Sequence, residues 1–233
     1  MLRRRRRDSV EMPTPAEGSS EAKPGRLPGG PWDIADDYPR TERIDCGSLL
    51  VPVREGFEVQ INVAEEQGAW VAIVQGENGM QLQAFAAPRS GGLWDDVRQE
   101  IAANIAEFGG SWEESDGPAG VELRGRVPAG DENGTSGRPQ PVRFLGFDGP
   151  RWFLRGVISG PAATDAATAA AFYDLFTGVV VVRGDYPAPP RELLEIRLPD
   201  EARQALEAQL AETDQGWGLA DPFKRGPEIT ETR

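Results

Sequence analysis

The stretch PVRFLGFDGPRWFLRGVI, residues 141–158, decides the fold. It contains two runs rich in β-branched and aromatic residues, and such runs predict strands. The residues between them, Asp148-Gly149-Pro150-Arg151, predict a turn, because glycine and proline favour turn geometry. With all four residues in the turn, Leu145 pairs with Leu154 in an antiparallel hairpin.

Both faces of this predicted hairpin carry large apolar side chains, because successive side chains of a strand point to opposite faces. One face holds Phe147, Trp152 and Leu154, and the other holds Phe144, Phe153 and Val157. A sheet that is apolar on both faces has to be covered on both faces. The hairpin therefore predicts a central pair of strands packed between two layers.

The flanking sequence supplies more strands and two helices. Alternating or apolar runs predict strands at 57–63, 70–75, 80–86, 121–127 and 179–183, with Asn78-Gly79 as a hairpin turn. Helical spacing predicts a helix from Ser90, its N-cap, to Gly109, and a second over 164–177 that starts at Thr164 or Asp165. The fold class is therefore α+β, an antiparallel sheet flanked by two main helices.

The ends of the chain differ in composition from its centre. Residues 1–30 are rich in Arg, Pro, Gly and Ser and predict a disordered tail, because they hold too little apolar surface to offset their ordering entropy. Residues 31–213 predict a single domain whose last segment, 199–213, is a short helix. Residues 214–233 have no apolar period and predict a loose C-terminal tail.

The charge is strongly acidic. Lys and Arg number 25 against 38 Asp and Glu, a formal net charge of -13. The first thirty residues carry seven basic and four acidic side chains, so the remainder carries about -16. A body this acidic repels phosphate backbones, which argues against sequence-specific binding of nucleic acid. No apolar run reaches the length of about 18 residues that a membrane span requires, and a cytoplasmic protein is expected.

Two residue types are notable for their scarcity. The chain has no histidine, which removes the commonest general base and metal ligand, and one cysteine, Cys46, which excludes an internal disulfide. No pair of carboxylates stands in an apolar setting that would raise one pKa. The sequence therefore predicts no catalytic residue, no metal site and no cofactor, and favours a non-catalytic role.

Two groups of residues are candidates for binding an anion. Arg89 and Ser90 lie in the turn before the first helix, where free backbone amides attract negative charge, although a plain strand-to-helix turn has the same sequence. The second group is Arg143, Arg151 and Arg155, which either line a pocket for a carboxylate or phosphate or extend along the sheet as structural side chains.

Several longer motifs occur in order along the chain. They are GPWD (30–33), RIDCGSLLVP (43–52), AFAAPRSGGLWDDVR (84–98), VRFLGFDGPRWFLRGVISGPA (142–162) and VVVRGDYPAPPRELLEIRLP (180–199). Together they resemble an actinobacterial family known as domain of unknown function 3710. That resemblance implies no activity, cofactor or catalytic residue. The order of elements over 141–183 is also similar to Mog1/PsbP-like domains, which implies a sandwich that serves as a binding or adaptor module.

Three functions remain open from the sequence. The first is a non-catalytic interaction or adaptor module that reaches a protein partner through its tails, with Arg3 to Arg7 able to contact an anionic surface. The alternative is a small-anion or metabolite-binding domain that uses Arg89, Ser90 and the Arg143, Arg151 and Arg155 group. The third is an enzyme that relies on carboxylate chemistry.

Overall fold

The computed structural model describes residues 29–65, 68–128, 139–199 and 204. The predicted helix over 199–213 and both predicted tails lie almost wholly outside these residues. The strands are β1 Trp32–Asp33, β2 Arg43–Asp45, β3 Leu49–Pro52, β4 Glu58–Ala64, β5 Gly68–Gln75, β6 Asn78–Ala86, β7 Ser111–Gly117, β8 Gly120–Val127, β9 Gln140–Gly149, β10 Trp152–Ser159 and β11 Val180–Val181. The helices are α1 Leu93–Glu107 and α2 Ala166–Gly178, and a 3₁₀ turn spans Pro161–Ala163.

The described strands form two sheets. The larger is antiparallel and has seven strands in the order β4-β5-β6-β10-β9-β8-β7; the smaller has four, in the order β1-β11-β3-β2. The predicted α+β class with an antiparallel sheet and two main helices is confirmed. The predicted strand over 179–183 is shorter than expected, and it lies in the smaller sheet, between β1 and β3.

The main core lies between one face of the larger sheet, helix α2 and the smaller sheet. Phe172 and Phe176 of α2 are fully buried there with Trp152 and Leu154 of β10. Gly156 of β10 makes room for this helix, since a Cβ on it would lie 2.9 Å from the Phe176 ring. We call this face of the larger sheet the α2 face.

Helix α1 covers the opposite, or α1, face. Trp94 stacks on Phe153 with the ring centroids 5.9 Å apart, and Ile105 packs near Leu123 of β8. Gly146 of β9 permits this close approach, because a Cβ on it would lie 2.1 Å from Trp94. The prediction that both faces of the central hairpin are covered is therefore correct. Phe108, the C-cap residue of this helix, is exposed.

The register of the central hairpin differs from the prediction by two residues. Gly149 pairs with Trp152, and Leu154 lies opposite Phe147 rather than Leu145. The turn has two central residues, Pro150 and Arg151, and Arg151 has a φ of 64°, as the second central position of a type II turn requires. A shift by two keeps every side chain on its predicted face.

The β5–β6 turn is also displaced from its predicted place. Gln75 pairs with Asn78, so the turn residues are Gly76 and Glu77, and Asn78-Gly79 starts β6. Gly76 has a φ of 57°, which suits the first central position of a type II′ hairpin turn. Asn78 instead donates to the Gln75 carbonyl and accepts from the Ala162 amide, at 3.3 and 2.7 Å.

Candidate functional site

The structure places the five predicted site residues in three different regions. Arg143 lies opposite Ile158 on the α2 face, whereas Arg155 lies opposite Gly146 on the α1 face. Side chains on the two faces of one sheet cannot converge on one ligand. The predicted group of Arg143, Arg151 and Arg155 is therefore not one site.

The start of α1 is already occupied by a carboxylate. The amides of Leu93 and Trp94 donate to Asp148 at 3.0 and 3.2 Å. Gly92 is the N-cap and provides no side chain, so the prediction of Ser90 as the cap is wrong. Burial raises the pKa of the Asp148 carboxyl, while the hydrogen bonds from these amides oppose that rise. An external anion at this helix end would have to displace Asp148.

Arg89 and Arg151 meet instead at an open concavity of about 590 Å³, which we call the Arg89 concavity. Arg183 also lines it, held by bonds from its Nε to the Arg151 carbonyl at 3.3 Å and from its Nη1 to the Tyr186 carbonyl at 2.9 Å. The Arg89 and Arg151 side chains make no hydrogen bond or ion pair with the residues that the structure describes. The sequence prediction included Arg89 and Arg151 but missed Arg183.

Arg155 borders a smaller cavity of about 220 Å³ between α1 and the larger sheet, which we call the Arg155 cavity. Its walls are mostly apolar and are formed by Phe85, Leu93, Val97, Ile101 and Phe153. These residues line it because α1 and the α1 face of the sheet meet there with their apolar sides. Drug-sized ligands occupy pockets of about 300–1,000 Å³, so this cavity suits a smaller molecule.

The Arg155 guanidinium is held inside this cavity by neutral groups. Its Nη2 donates to Gln83 Oε1, and its central carbon lies 5.4 Å from the centroid of the Phe85 ring. No carboxylate among the described residues forms an ion pair with it. Burial lowers the pKa of Arg155, which is the direction expected for a cation that loses water without gaining a counter-charge.

The rim of the Arg155 cavity is bridged by an ion pair. Arg191 Nη1 donates to both carboxylate oxygens of Glu100, at 2.7 and 2.9 Å. The Arg191 amide also bonds to the Ala86 carbonyl at 2.7 Å. This contact ties the segment after β11 to helix α1 across the cavity mouth. Because both side chains are about half exposed, the pair contributes little to stability.

Arg143 lies in a buried polar network on the α2 face. Its Nε donates to the Ala163 carbonyl at 2.6 Å and its Nη1 to the Tyr173 hydroxyl at 3.1 Å. The Tyr173 hydroxyl donates to Glu122, which also accepts from Arg124 Nε at 2.8 Å. Arg143, Glu122 and Tyr173 are each at least 95% buried.

Glu122 and Tyr173 were not among the residues predicted from the sequence to form a site. In the run 121–127, the polar residues alternate with apolar ones, a pattern typical of a solvated face. That interpretation is wrong for Glu122, because the register places Arg124 opposite Arg143, so Glu122 and Arg124 lie on the covered α2 face. The sequence did contain a signal for these residues. The strand over 121–127 was predicted to lie in the same sheet as a hairpin whose two faces are both covered, so its polar side chains were also expected on a covered face.

Titration of Tyr173 gives this network a measurable pH dependence. Burial, followed by the bond to Glu122, raises the pKa of Tyr173 to about 12, from the usual value of about 10. The folded state holds this proton more tightly than the unfolded state. We therefore expect the hydroxyl to contribute fully to stability below pH 10 and to lose that contribution as the pH rises towards 12.

The measurement compares the unfolding free energies of the wild type and Tyr173→Phe across this range. The difference should shrink steadily from pH 10 to 12, and the phenylalanine variant should lack one late step in a tyrosinate absorbance titration. A difference that stays constant through this range would show that Tyr173 ionises with its usual pKa.

The remaining reactive groups do not form a catalytic or metal centre in the part of the chain that the structure describes. Cys46 is fully buried, and burial raises its pKa to about 11, so the thiolate nucleophile is disfavoured. No group of three or more Cys, Asp or Glu among these residues could hold a metal ion. None of the helices found there has the length and apolar character needed to cross a membrane.

The chain was also compared with known proteins. A family model with the description Protein of unknown function (DUF3710) matches residues 30–205, a range that contains every strand and helix given above. No curated protein and no solved structure matches the chain. The family resemblance of the sequence motifs is thus confirmed.

Proposed function

This chain belongs to the family described as Protein of unknown function (DUF3710), and on that premise we propose that it is a non-catalytic domain that binds a small anion with an apolar body. The observation that carries this proposal is the Arg155 guanidinium. It is a cation in a largely apolar cavity whose only described hydrogen-bond partner is the neutral amide of Gln83. A charge that is removed from water without a counter-charge is costly to the fold.

The ligand that best offsets this cost is a carboxylate. A guanidinium presents a planar set of N–H donors that matches the two oxygens of a carboxylate. Gln83 uses one donor of Arg155, on Nη2, which leaves others for the ligand. Beside apolar walls the local dielectric is lower than that of water, so such a charge-assisted pair is stronger there than it would be in water.

The apolar walls define the rest of the ligand. Phe85 and Phe153 stack with their ring centroids 6.1 Å apart, and Val97 and Ile101 of α1 complete the lining. Each methylene that a ligand buries here contributes about 0.8 kcal/mol. The cavity volume of about 220 Å³ suits an aromatic acid of the size of benzoate or a short aliphatic acid.

Calorimetric titrations with benzoate and hexanoate test the proposal, with benzamide and hexanol as uncharged counterparts. We expect the acids to bind and their counterparts to bind weakly. Arg155→Gln should weaken acid binding roughly 10- to 100-fold, since a hydrogen bond to a charged group contributes about 1.5–3 kcal/mol. Arg151→Gln, an exposed arginine in the Arg89 concavity, is the matched control and should bind the acids like the wild type.

Two outcomes would contradict the proposal. One is the absence of any binding of either acid to the wild type at millimolar concentration. The other is equal binding of acids by the wild type and by Arg155→Gln, because the cavity would then hold the ligand without the cation.

An interaction or adaptor module is the second candidate, favoured by the Arg89 concavity. The lining of this concavity includes three arginines, Arg89, Arg151 and Arg183, and one carboxylate, that of Asp185. Tyr186 also lines it and is 84% exposed. Such a surface suits an acidic peptide of a protein partner. A glutamate-rich peptide should then bind the wild type and Arg155→Gln with equal affinity. It should bind Arg151→Gln more weakly. Unchanged affinity in Arg151→Gln would rule this candidate out.

We also propose a cytoplasmic location and a single domain over residues 31–213. The single domain is supported by a family match over residues 30–205 and by a core that β3, β5, β6 and α2 share. The location is supported by the single, buried cysteine. A Mog1/PsbP-like sandwich would be consistent with one sheet covered on both faces. Contact of Arg3 to Arg7 with an anionic surface remains a proposal about residues outside those described.

A further inference from the structure

We infer that a second recess, on the α2 face, binds a hydrophilic phosphate monoester. This recess, the Arg143 cavity, has a volume of about 520 Å³ and lies over the outer strands β7, β8 and β9 beside the 3₁₀ turn. It is separated from the Arg155 cavity by the sheet itself. The inference is independent of the function proposed for Arg155.

The register of the outer strands gathers three guanidinium groups at this recess. Arg124 lies opposite Arg143, and the next position on the same face of β8 is Arg126, opposite Pro141. Ser111 of β7 lies opposite Arg126 and adds a hydroxyl. All of these residues line the cavity. Convergent arginines with a neighbouring hydroxyl are a common way of binding a phosphate group.

Two of the three guanidinium groups are positioned in advance. Arg143, 97% buried, is fixed through its Nε by the Ala163 carbonyl and through its Nη1 by Tyr173. Arg124 is fixed through its Nε by Glu122, and no described residue bonds to its two terminal nitrogens. A ligand therefore meets donors whose side-chain entropy has already been lost, which favours binding.

Arg126 is the third and is exposed. Its side chain has no hydrogen bond or ion pair with any residue in the described part of the chain. Thr164, exposed on the 3₁₀ side of the recess, donates its hydroxyl to the Pro161 carbonyl at 3.2 Å and can accept a further bond. Because Arg126 has no such bond, its side chain can turn towards a ligand without breaking a contact with the described residues.

The charges around the recess explain the class of ligand. Glu122 offsets one of the three positive charges, Glu113 lines the recess, and Asp165 lies close enough to Arg143 for an electrostatic effect. The remaining attraction comes mostly from directed N–H and O–H donors, which a compact oxyanion satisfies better than an apolar acid. The Glu113 carboxylate and the backbone of β7 can accept bonds from the hydroxyl groups of a phosphorylated polyol.

Titration calorimetry with inorganic phosphate and glycerol 3-phosphate tests this inference, with glycerol as the uncharged control. We expect both anions to bind the wild type and glycerol not to bind. Arg126→Gln should weaken binding about 10-fold or more, since it removes a charged donor, and Ser111→Ala should weaken it less. Arg40→Gln, an exposed arginine that lines none of the three cavities, is the control and should have no effect.

Saturating benzoate should leave phosphate binding unchanged, which keeps this test separate from that of the Arg155 cavity. Because Arg126 is exposed and has no partner among the described residues, we expect its replacement to leave the fold intact, and circular dichroism of the variant checks this. Equal affinity of the wild type and Arg126→Gln, or loss of binding in Arg40→Gln, would overturn the inference. Absence of phosphate binding at millimolar concentration would overturn it as well.

Discussion

Replacing Trp152 with alanine should lower the free energy of unfolding by about 3–5 kcal/mol, the cost typical of truncating a buried aromatic side chain. Trp152 is fully buried at the start of β10, and its indole Nε1 donates to Asp33 Oδ2 at 2.6 Å. Its ring lies 5.9 Å from that of Phe147, centroid to centroid. The substitution leaves a cavity and a carboxylate that has lost its donor.

Chemical denaturation followed by circular dichroism measures this loss. Trp112→Ala is the matched control, because Trp112 is 46% exposed on the edge strand β7 and its truncation should cost much less. Trp152→Phe retains most of the ring volume and isolates the bond to Asp33, whose loss should cost about 1.5–3 kcal/mol. Equal unfolding free energies for Trp152→Ala and Trp112→Ala would mean that β10 is not central to the core.

Replacing Glu122 with alanine should cost a similar amount. Glu122 is 1% exposed and is the carboxylate that faces Tyr173, Arg124 and Arg143 in the buried network. Its removal leaves the Arg143 charge buried without a counter-charge, and breaking a buried pair in this way typically costs about 3–5 kcal/mol. The measurement is again the free energy of unfolding.

A double variant makes the interpretation specific. Glu122→Leu with Arg143→Leu removes both charges and should be less destabilised than Glu122→Ala, because well-packed apolar residues can replace a buried ion pair. Glu114→Ala is the surface control, since the Glu114–Arg98 pair lies at 2.9 Å with Glu114 43% exposed and should contribute at most about 1 kcal/mol. A loss of under about 1 kcal/mol in Glu122→Ala would contradict the buried network.

The fold could be predicted to a large extent because the central hairpin carries the decisive pattern. Aromatic residues on both of its faces predict a covered sheet, and Phe144, Phe153 and Trp152 lie on the expected sides. Details that depend on turn geometry could not be predicted. Whether Gly149 belongs to the strand or to the turn depends on the φ of Arg151, which local sequence does not determine.

The candidate sites were less predictable, because they depend on long-range register. Arg143 and Arg155 are an exception, because the predicted hairpin already placed them on opposite faces, as the observed pairing does, and their grouping as one site overlooked the alternation of side chains along a strand. The amides of α1 were expected to be free, since their partner, Asp148, lies more than fifty residues later in the chain. Arg183 lines the same concavity as Arg89 because of the path that the chain takes after β11, and the sequence does not predict that path.

Carboxylate binding by Arg155 is tested most directly by an NMR titration of the wild type with benzoate. The Nε–H signal of Arg155 is identified by its loss in Arg155→Gln. We expect this signal to shift until it saturates, and the dissociation constant from this shift should equal the one found by calorimetry. The signals of Ile101 and Val97 on the cavity wall should shift in the same titration. An Arg155 signal that stays in place while the signal of another arginine shifts would contradict binding in this cavity.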